Sequence, residues 1–89
     1  MRIDKYLQTS RIIKRRAVAK ELIENKRVLI NSKIAKPASN VEIGDLIEIQ
    51  FGDTKLEIKV LQVLEKVKKD EVNELYEIIN RKRDNDDRD

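Results

Sequence analysis

Hydrophobic residues in the first third of the chain recur at helical spacing. One group predicts a short first helix over about residues 3–9, with Ile3, Tyr6 and Leu7 on its apolar side. A second segment, over about residues 15–25, predicts a longer helix whose apolar stripe comprises Val18, Ala19, Leu22 and Ile23. The pattern therefore predicts two helices joined by a short connection.

Downstream of the second helix, the apolar spacing changes to that of β-strands. Residues 28–30 are apolar and precede Asn31 and Ser32, which predicts a strand, a tight turn and a returning strand near Ile34. Two later runs alternate apolar and polar residues on either side of Gly52, and they predict an antiparallel hairpin with an inward face of Ile47, Ile49, Phe51, Leu56, Ile58 and Val60.

The C-terminal part of the chain is strongly charged but retains one helical pattern. Val72, Leu75, Tyr76 and Ile79 predict a final helix over about residues 71–80. The last residues contain no apolar side chain and predict a disordered tail. The predicted fold class is α+β, a short αα hairpin packed on a small, mainly antiparallel β-sheet, divided into a domain over 1–65, a helical extension over 66–81 and a tail over 82–89.

Composition narrows the possible chemistry. The chain has no Cys and no His, which excludes thiol nucleophiles, disulfides, the usual zinc ligands and the side chain most used for proton transfer near neutral pH. We therefore expect no catalytic residue, metal or cofactor. The tail carboxylates Asp84, Asp86 and Asp87 would make only a weak set of metal ligands. Without an apolar leader or a span-length apolar segment, we expect a cytoplasmic protein with no membrane partner.

The charge of the chain is divided unevenly. Residues 1–36 contain 11 Lys/Arg against three acids, a net charge of +8, whereas residues 37–89 contain nine against 14, a net charge of −5. A generally charged, solvated surface is the simplest interpretation. However, the excess of positive charge is concentrated in the first two fifths of the chain. This favours a basic face that binds a phosphate-rich partner.

The order of motifs along the first half of the chain resembles the S4 RNA-binding domain, a module named for small-subunit ribosomal protein four. The matching residues are Arg2-Ile3-Asp4-Lys5-Tyr6-Leu7, Ser10-Arg11, Arg16-Ala17, Leu22-Ile23, Val28, Ile30-Asn31, Lys36-Pro37 and Gly44-Asp45. The resemblance implies that the helical pair presents basic residues to structured RNA, here Arg2, Lys5, Arg11, Arg15, Arg16 and Lys20.

Two positions depart from that family's pattern. Lys26 and Ser32 stand where the family usually has glycine, so a left-handed backbone at either would cost roughly 1 kcal/mol unless Asn25 adopts it in place of Lys26. Other residues of the motif are more often structural than functional: we expect Tyr6 in the core, Ser10 as a cap, and Asp4 as a first-turn carboxylate or as a partner that orients an arginine.

Among family members, the chain resembles stand-alone bacterial factors, the RqcP and fifteen-kilodalton heat-shock protein families. That resemblance implies binding to ribosomal RNA and tRNA on stalled large ribosomal subunits that carry peptidyl-tRNA, support of tail elongation in ribosome-associated quality control, and a quality-control protein partner. We expect a monomer. The alternatives are a generic RNA-binding or ribosome-assembly factor, and an adaptor that binds protein through its C-terminal half. An enzyme fits the sequence least.

Overall fold

The helices and strands of the fold follow in an order close to the predicted one. The computed structural model describes residues 1–83. Its elements are α1 (Ile3–Thr9), α2 (Arg16–Glu24), β1 (Val28–Ile30), β2 (Lys33–Ile34), β3 (Leu46–Phe51), β4 (Thr54–Val60), a 3₁₀ helix (Lys69–Glu74) and β5 (Tyr76–Arg83). The predicted α+β class and the helical pair on an antiparallel sheet are confirmed.

The five strands form one sheet in the order β2-β1-β3-β4-β5, and every neighbouring pair is antiparallel. Alternation along β3 and β4 turns Ile47, Ile49 and Ile58 toward the helices, where they are fully buried. They pack with buried residues of α1 and α2, including Ile3, Leu7, Ala19 and Ile23. The hydrophobic core therefore lies between one face of the sheet and the helical pair.

The predicted helix over about residues 71–80 is wrong. The 3₁₀ helix buries Val72, Leu75 is buried directly after it, and the chain continues as β5 along the edge of β4. Pairing with β5 provides hydrogen-bond partners for the N–H and C=O groups of β4 that would otherwise lie at a free edge. The β-branched residues Ile78 and Ile79 also favour a strand. Helical spacing alone could not reveal this tertiary requirement.

The C-terminal segments predicted from sequence change accordingly. The helical character predicted for residues 66–81 is limited to the 3₁₀ helix, and residues 82 and 83 belong to β5 and not to a tail. The metal-site interpretation of Asp84, Asp86 and Asp87 lies outside the described residues. The division into an RNA-binding unit over 1–65 and a separate extension stays a prediction.

The apolar stripe predicted for α2 is narrower than expected. Ala19 and Ile23, one turn apart, are buried, and Leu22 packs at the margin of the core. Val18 is 43% exposed, so its assignment to the stripe is wrong. The short helix contacts the sheet along a single row of side chains, and Val18 lies outside that row.

Left-handed backbone occurs at both positions where the sequence departs from the S4 pattern. Lys26 has φ 63°, whereas Asn25 has φ −87°, so the expectation that Asn25 takes the left-handed position is wrong. Asn31 (φ 51°) and Ser32 (φ 71°) form the two-residue loop between β1 and β2. Two positive φ values in such a loop are typical of a type I′ turn, which favours Asn at the first position and Gly at the second.

Ser32→Gly is expected to raise the free energy of unfolding by about 1 kcal/mol, because glycine adopts the left-handed region without steric cost. Urea unfolding of the variant beside wild type measures this gain. Asn31→Gly is the matched control: the Asn31 side chain donates to Asp45 Oδ1 at 3.1 Å and accepts from the Leu46 amide at 2.9 Å, so its loss should cancel any gain. A Ser32→Gly protein no more stable than wild type would contradict the expectation.

Candidate nucleic-acid interface

A buried carboxylate holds two arginines at the start of the helical pair. Asp4 is 2% exposed, and its Oδ2 and Oδ1 atoms accept hydrogen bonds from Arg2 Nη2 at 3.1 Å and Arg16 Nη2 at 3.3 Å. The side chains of Arg2 and Arg16 remain 49% and 46% exposed. These three residues, here called the Asp4 cluster, confirm the interpretation of Asp4 as a carboxylate that orients arginine.

Local structure explains why these side chains meet. Arg2 is extended, the residue before α1, and the amide of Ile3 donates to the Ser39 carbonyl at 2.8 Å, which fixes where α1 begins. Arg15 is also extended and caps α2, so α2 begins at Arg16. Cations at the positive ends of helices are unfavourable. Asp4 offsets that repulsion and leaves the outer edges of both guanidinium groups available to a ligand.

Lys5 is tied to a distant part of the chain. Its ammonium group forms a hydrogen-bonded ion pair with the Glu65 carboxylate, 60 residues later. The hydrogen bond and the positive charge of Lys5 hold the pKa of Glu65 below its usual value. Unlike the arginines of the Asp4 cluster, Lys5 would have to exchange an acidic partner on the protein for any phosphate it binds.

The remaining predicted site residues are exposed cations on the same helical pair. Arg11 lies just after α1 in a left-handed conformation, with φ 62°, and its amide donates to the Gln8 carbonyl at 3.0 Å. Arg15 and Lys20 are exposed at the cap and on the outer side of α2. Within residues 1–83, no ion pair joins Arg11, Arg15 or Lys20 to an acid.

One further cation, absent from the predicted site residues, lies beside Arg11. Lys14 is exposed and, with Gln8 and Arg11, lines a shallow groove of about 320 Å³ at the end of α1 and the connection that follows it. The run Arg11 to Arg16 contains Lys14, so its charge was visible in the sequence. Its position beside Arg11 was not, because the connection between α1 and α2 is irregular and follows no period.

Tyr6 and Ser10 have structural roles, as expected. The Tyr6 ring is buried, and its hydroxyl donates to the Leu75 carbonyl at 2.8 Å, which ties α1 to the segment between the 3₁₀ helix and β5. Ser10 is buried, and its hydroxyl donates to the Leu7 carbonyl at 3.2 Å at the end of α1. Neither side chain is placed to contact a base or a phosphate.

Tyr6→Phe is expected to lower the free energy of unfolding at pH 7 by about 1–2 kcal/mol, because the buried Leu75 carbonyl loses its donor. Burial, and secondarily the nearby Tyr76, raises the pKa of Tyr6 above the usual value of about 10. Above pH 10 the unfolded chain loses this proton while the folded chain keeps it, so stability present below pH 10 falls as pH rises.

Urea unfolding at pH 7 and pH 10.5 measures both effects. The free energy of unfolding should fall less between these pH values in Tyr6→Phe than in wild type. In Tyr76→Phe, the matched control, it should fall almost as much as in wild type. Equal declines in wild type and Tyr6→Phe would show that Tyr6 does not cause the alkaline loss.

Two other kinds of site are not found in the described part of the chain. Residues 1–83 contain no group of three or more Asp and Glu residues placed to hold a metal ion. No helix in the same range is long and apolar enough to cross a membrane.

Comparison with known proteins relates this geometry to a family. Residues 1–47 match the family model for the S4 domain. Over 83 residues the chain is 45% identical to an RQC P-site tRNA stabilizing factor from Streptococcus pneumoniae, which covers 93% of this chain and 94% of that protein. A protein of the same name from Listeria monocytogenes is 44% identical over 88 residues, covering 99% and 96%.

A solved structure shows the same fold. The trimeric structure of Heat Shock Protein 15 from Vibrio cholerae matches with a TM-score of 0.81 and 30% identity, covering 88% of this chain and 80% of that one. The matched share of this chain is larger than residues 1–47, so the similarity of fold extends beyond the S4 region.

Proposed function

Because the chain belongs to the S4 domain family and to the group of RQC P-site tRNA stabilizing factors within it, we propose that it is a non-catalytic RNA-binding factor of ribosome-associated quality control. In this proposal it binds ribosomal RNA and tRNA on stalled large ribosomal subunits that carry peptidyl-tRNA. It supports elongation of the tail on the stalled chain, meets a quality-control protein there, and acts as a monomer in the cytoplasm.

The Asp4 cluster is the observation that carries the RNA-binding part of the proposal. Two guanidinium groups are held on one buried carboxylate while about half of each side chain stays exposed. Guanidinium groups can form two parallel hydrogen bonds to phosphate oxygens, and a pre-ordered pair loses less side-chain entropy on binding. This arrangement fits a partner whose negative charges have fixed spacing, such as folded RNA.

The other cations extend this surface along the helical pair. We propose that RNA contacts Arg2, Lys5, Arg11, Arg15, Arg16 and Lys20, with Lys14 added because it shares a groove with Arg11. Arginine and lysine side chains contact mainly phosphate oxygens, so this set of residues favours contacts with phosphate and sugar over contacts with base edges. A structured RNA would then be recognised by its shape and backbone, because the deep, narrow major groove of an RNA helix hides its base edges.

The site of action is proposed from the relatives. Their name describes a factor that stabilizes tRNA in the P site. A small basic protein that touches ribosomal RNA and tRNA at once could hold the tRNA in place without any chemistry of its own. The absence of Cys and His agrees with such a binding role.

A second candidate function is an adaptor that binds protein. Ile78 and Ile79 are 48% and 51% exposed on β5, the strand at one edge of the sheet. An exposed edge strand with apolar side chains can accept a partner strand. Binding of that kind would depend weakly on salt.

Salt dependence separates the two candidates. The affinity of the purified protein for isolated large subunits, measured by co-sedimentation between 50 and 200 mM potassium chloride, should fall steeply as bound phosphates release counterions. One phosphate contact for each of the seven cations predicts a slope of about −6 in a plot of log affinity against log salt. A slope near zero would favour the adaptor, and absence of binding at every salt concentration would contradict the ribosomal site.

A further inference from the structure

A row of cations crosses the sheet on the face opposite the helices. The row contains Arg27, Lys55 and Lys82, and we call it the outer basic row. Arg27 immediately precedes β1, Lys55 lies in β4 and Lys82 in β5. These cations are far apart in the sequence, two of them in the acidic part of the chain, so only the strand pairing reveals that they are aligned.

The strand register aligns the three residues across the sheet, with Gln50 of β3 between Arg27 and Lys55. The Gln50 amide donates to the Arg27 carbonyl at 2.8 Å, Gln50 pairs with Lys55, and Lys55 pairs with Lys82. Neighbouring strands lie about 4.8 Å apart, so the row spans about 14 Å from Arg27 to Lys82.

Burial of the adjacent residues shows which face the row occupies. Val28 and Leu56, the chain neighbours of Arg27 and Lys55, are buried against the helical pair. Successive side chains of a strand point to opposite faces, so Arg27 and Lys55 point away from the helices. Lys82 is directly opposite Lys55 and shares its face.

The neighbouring acidic residues balance the charge of Lys55 but not the charges of Arg27 and Lys82 at the two ends of the row. Glu48 forms an ion pair with Lys55 at 2.9 Å, and Glu57 accepts a hydrogen bond from Asn80 at 3.4 Å. Arg27 and Lys82 are exposed and form no ion pair with any acid in residues 1–83. Like charges directly opposite each other destabilise a sheet, and the ion pair with Glu48 offsets only the Lys55 side of the Lys55–Lys82 pairing.

We propose that the outer basic row binds the phosphate backbone of a second RNA segment, separate from the one held by the helical pair. The inference rests on the proposed function, because it assigns a further contact with the same RNA-rich partner. The sheet lies between the two surfaces, so one RNA helix cannot reach both. The protein would therefore bridge two RNA segments, which is a direct way to hold one of them in place against the other.

The test compares Arg27→Gln/Lys82→Gln with Lys66→Gln/Lys69→Gln, a matched control that removes the same charge from two exposed lysines belonging to neither proposed set of RNA contacts. Large subunits loaded with peptidyl-tRNA are the probe. The row variant should bind about tenfold more weakly at 150 mM salt, and its salt slope should be shallower by about 2, one for each lost phosphate contact. The control should resemble wild type in slope.

Hydroxyl-radical footprinting on the same complexes locates the contact. The row variant should lose protection in an RNA segment that an Arg16→Ala variant still protects. If wild type binds and the row variant matches the control in slope and footprint, this inference is wrong while the proposed function stands. If wild type does not bind the loaded subunits, both are wrong.

Discussion

Replacing Arg11 and Arg16 together with alanine is expected to weaken binding to large subunits loaded with peptidyl-tRNA by about a hundredfold at low salt. A hydrogen bond to a charged group contributes about 1.5–3 kcal/mol, and losing two at the lower end of that range amounts to about a hundredfold. Arg16 belongs to the Asp4 cluster, and Arg11 lines the groove at the end of α1. Filter binding or co-sedimentation measures the change.

The control for this variant is Lys66→Ala/Lys69→Ala, which removes the same charge from exposed positions elsewhere. Its binding should change by no more than a few fold. Circular dichroism should confirm that both variants are folded, since loss of Arg16 leaves the buried Asp4 with a single partner. Equal binding by the Arg11/Arg16 variant, the control and wild type would show that the helical pair does not bind RNA.

Asp4→Asn is expected to weaken RNA binding by roughly tenfold, although it removes a negative charge from a surface that binds phosphate. If only net charge mattered, this change would tighten RNA binding. If Asp4 positions the arginines, the same change weakens it. The predicted loss arises because a neutral amide holds Arg2 and Arg16 less firmly than a carboxylate does, and the arginines must then be ordered by the RNA.

A double-mutant cycle isolates this effect. Asp4→Asn should cost roughly tenfold when Arg16 is present and much less in an Arg16→Ala background, a coupling of about 1.4 kcal/mol. Asp45→Asn is a useful control, because Asp45 also accepts side-chain and backbone hydrogen bonds but lies outside the cluster. Tighter binding by Asp4→Asn would show that Asp4 does not position the arginines.

The elements with a clear local pattern were predictable from the sequence. Alternation of apolar and polar residues on either side of Gly52 predicted the β3–β4 hairpin. The helical spacing of Ile3, Tyr6 and Leu7 predicted α1 to within a residue of its ends. The resemblance to the S4 family, carried by an ordered set of short motifs in the first half of the chain, is confirmed by the family match over residues 1–47.

The C-terminal strand could not be predicted in the same way. Val72 and Leu75 do follow helical spacing, but only a 3₁₀ helix forms there. Which structure residues 76–83 adopt depends on the free edge of β4, and that edge exists only once the sheet has folded. The outer basic row was hidden for the same reason, because its alignment depends on a register between distant strands.

The candidate site was predictable as a set of charges and not as a geometry. The sequence identified Arg2 and Arg16 and offered two roles for Asp4, a first-turn carboxylate or a partner that orients an arginine. It could not show that one buried carboxylate holds both guanidinium groups, that Lys5 pairs with Glu65, or that Lys14 lies beside Arg11. The first two contacts depend on how α1 packs against α2 and the segment near Glu65, and the third depends on the irregular connection between the helices.

Co-sedimentation with isolated large ribosomal subunits, with and without bound peptidyl-tRNA, tests the central proposal most directly. Subunits in both states should be compared at 50 and 150 mM salt with the same preparation of protein. The account predicts binding at both salt concentrations to the loaded subunits and clearly weaker binding to the empty ones, because contacts with tRNA are lost. Equal binding to loaded and empty subunits, or binding to neither, would contradict it.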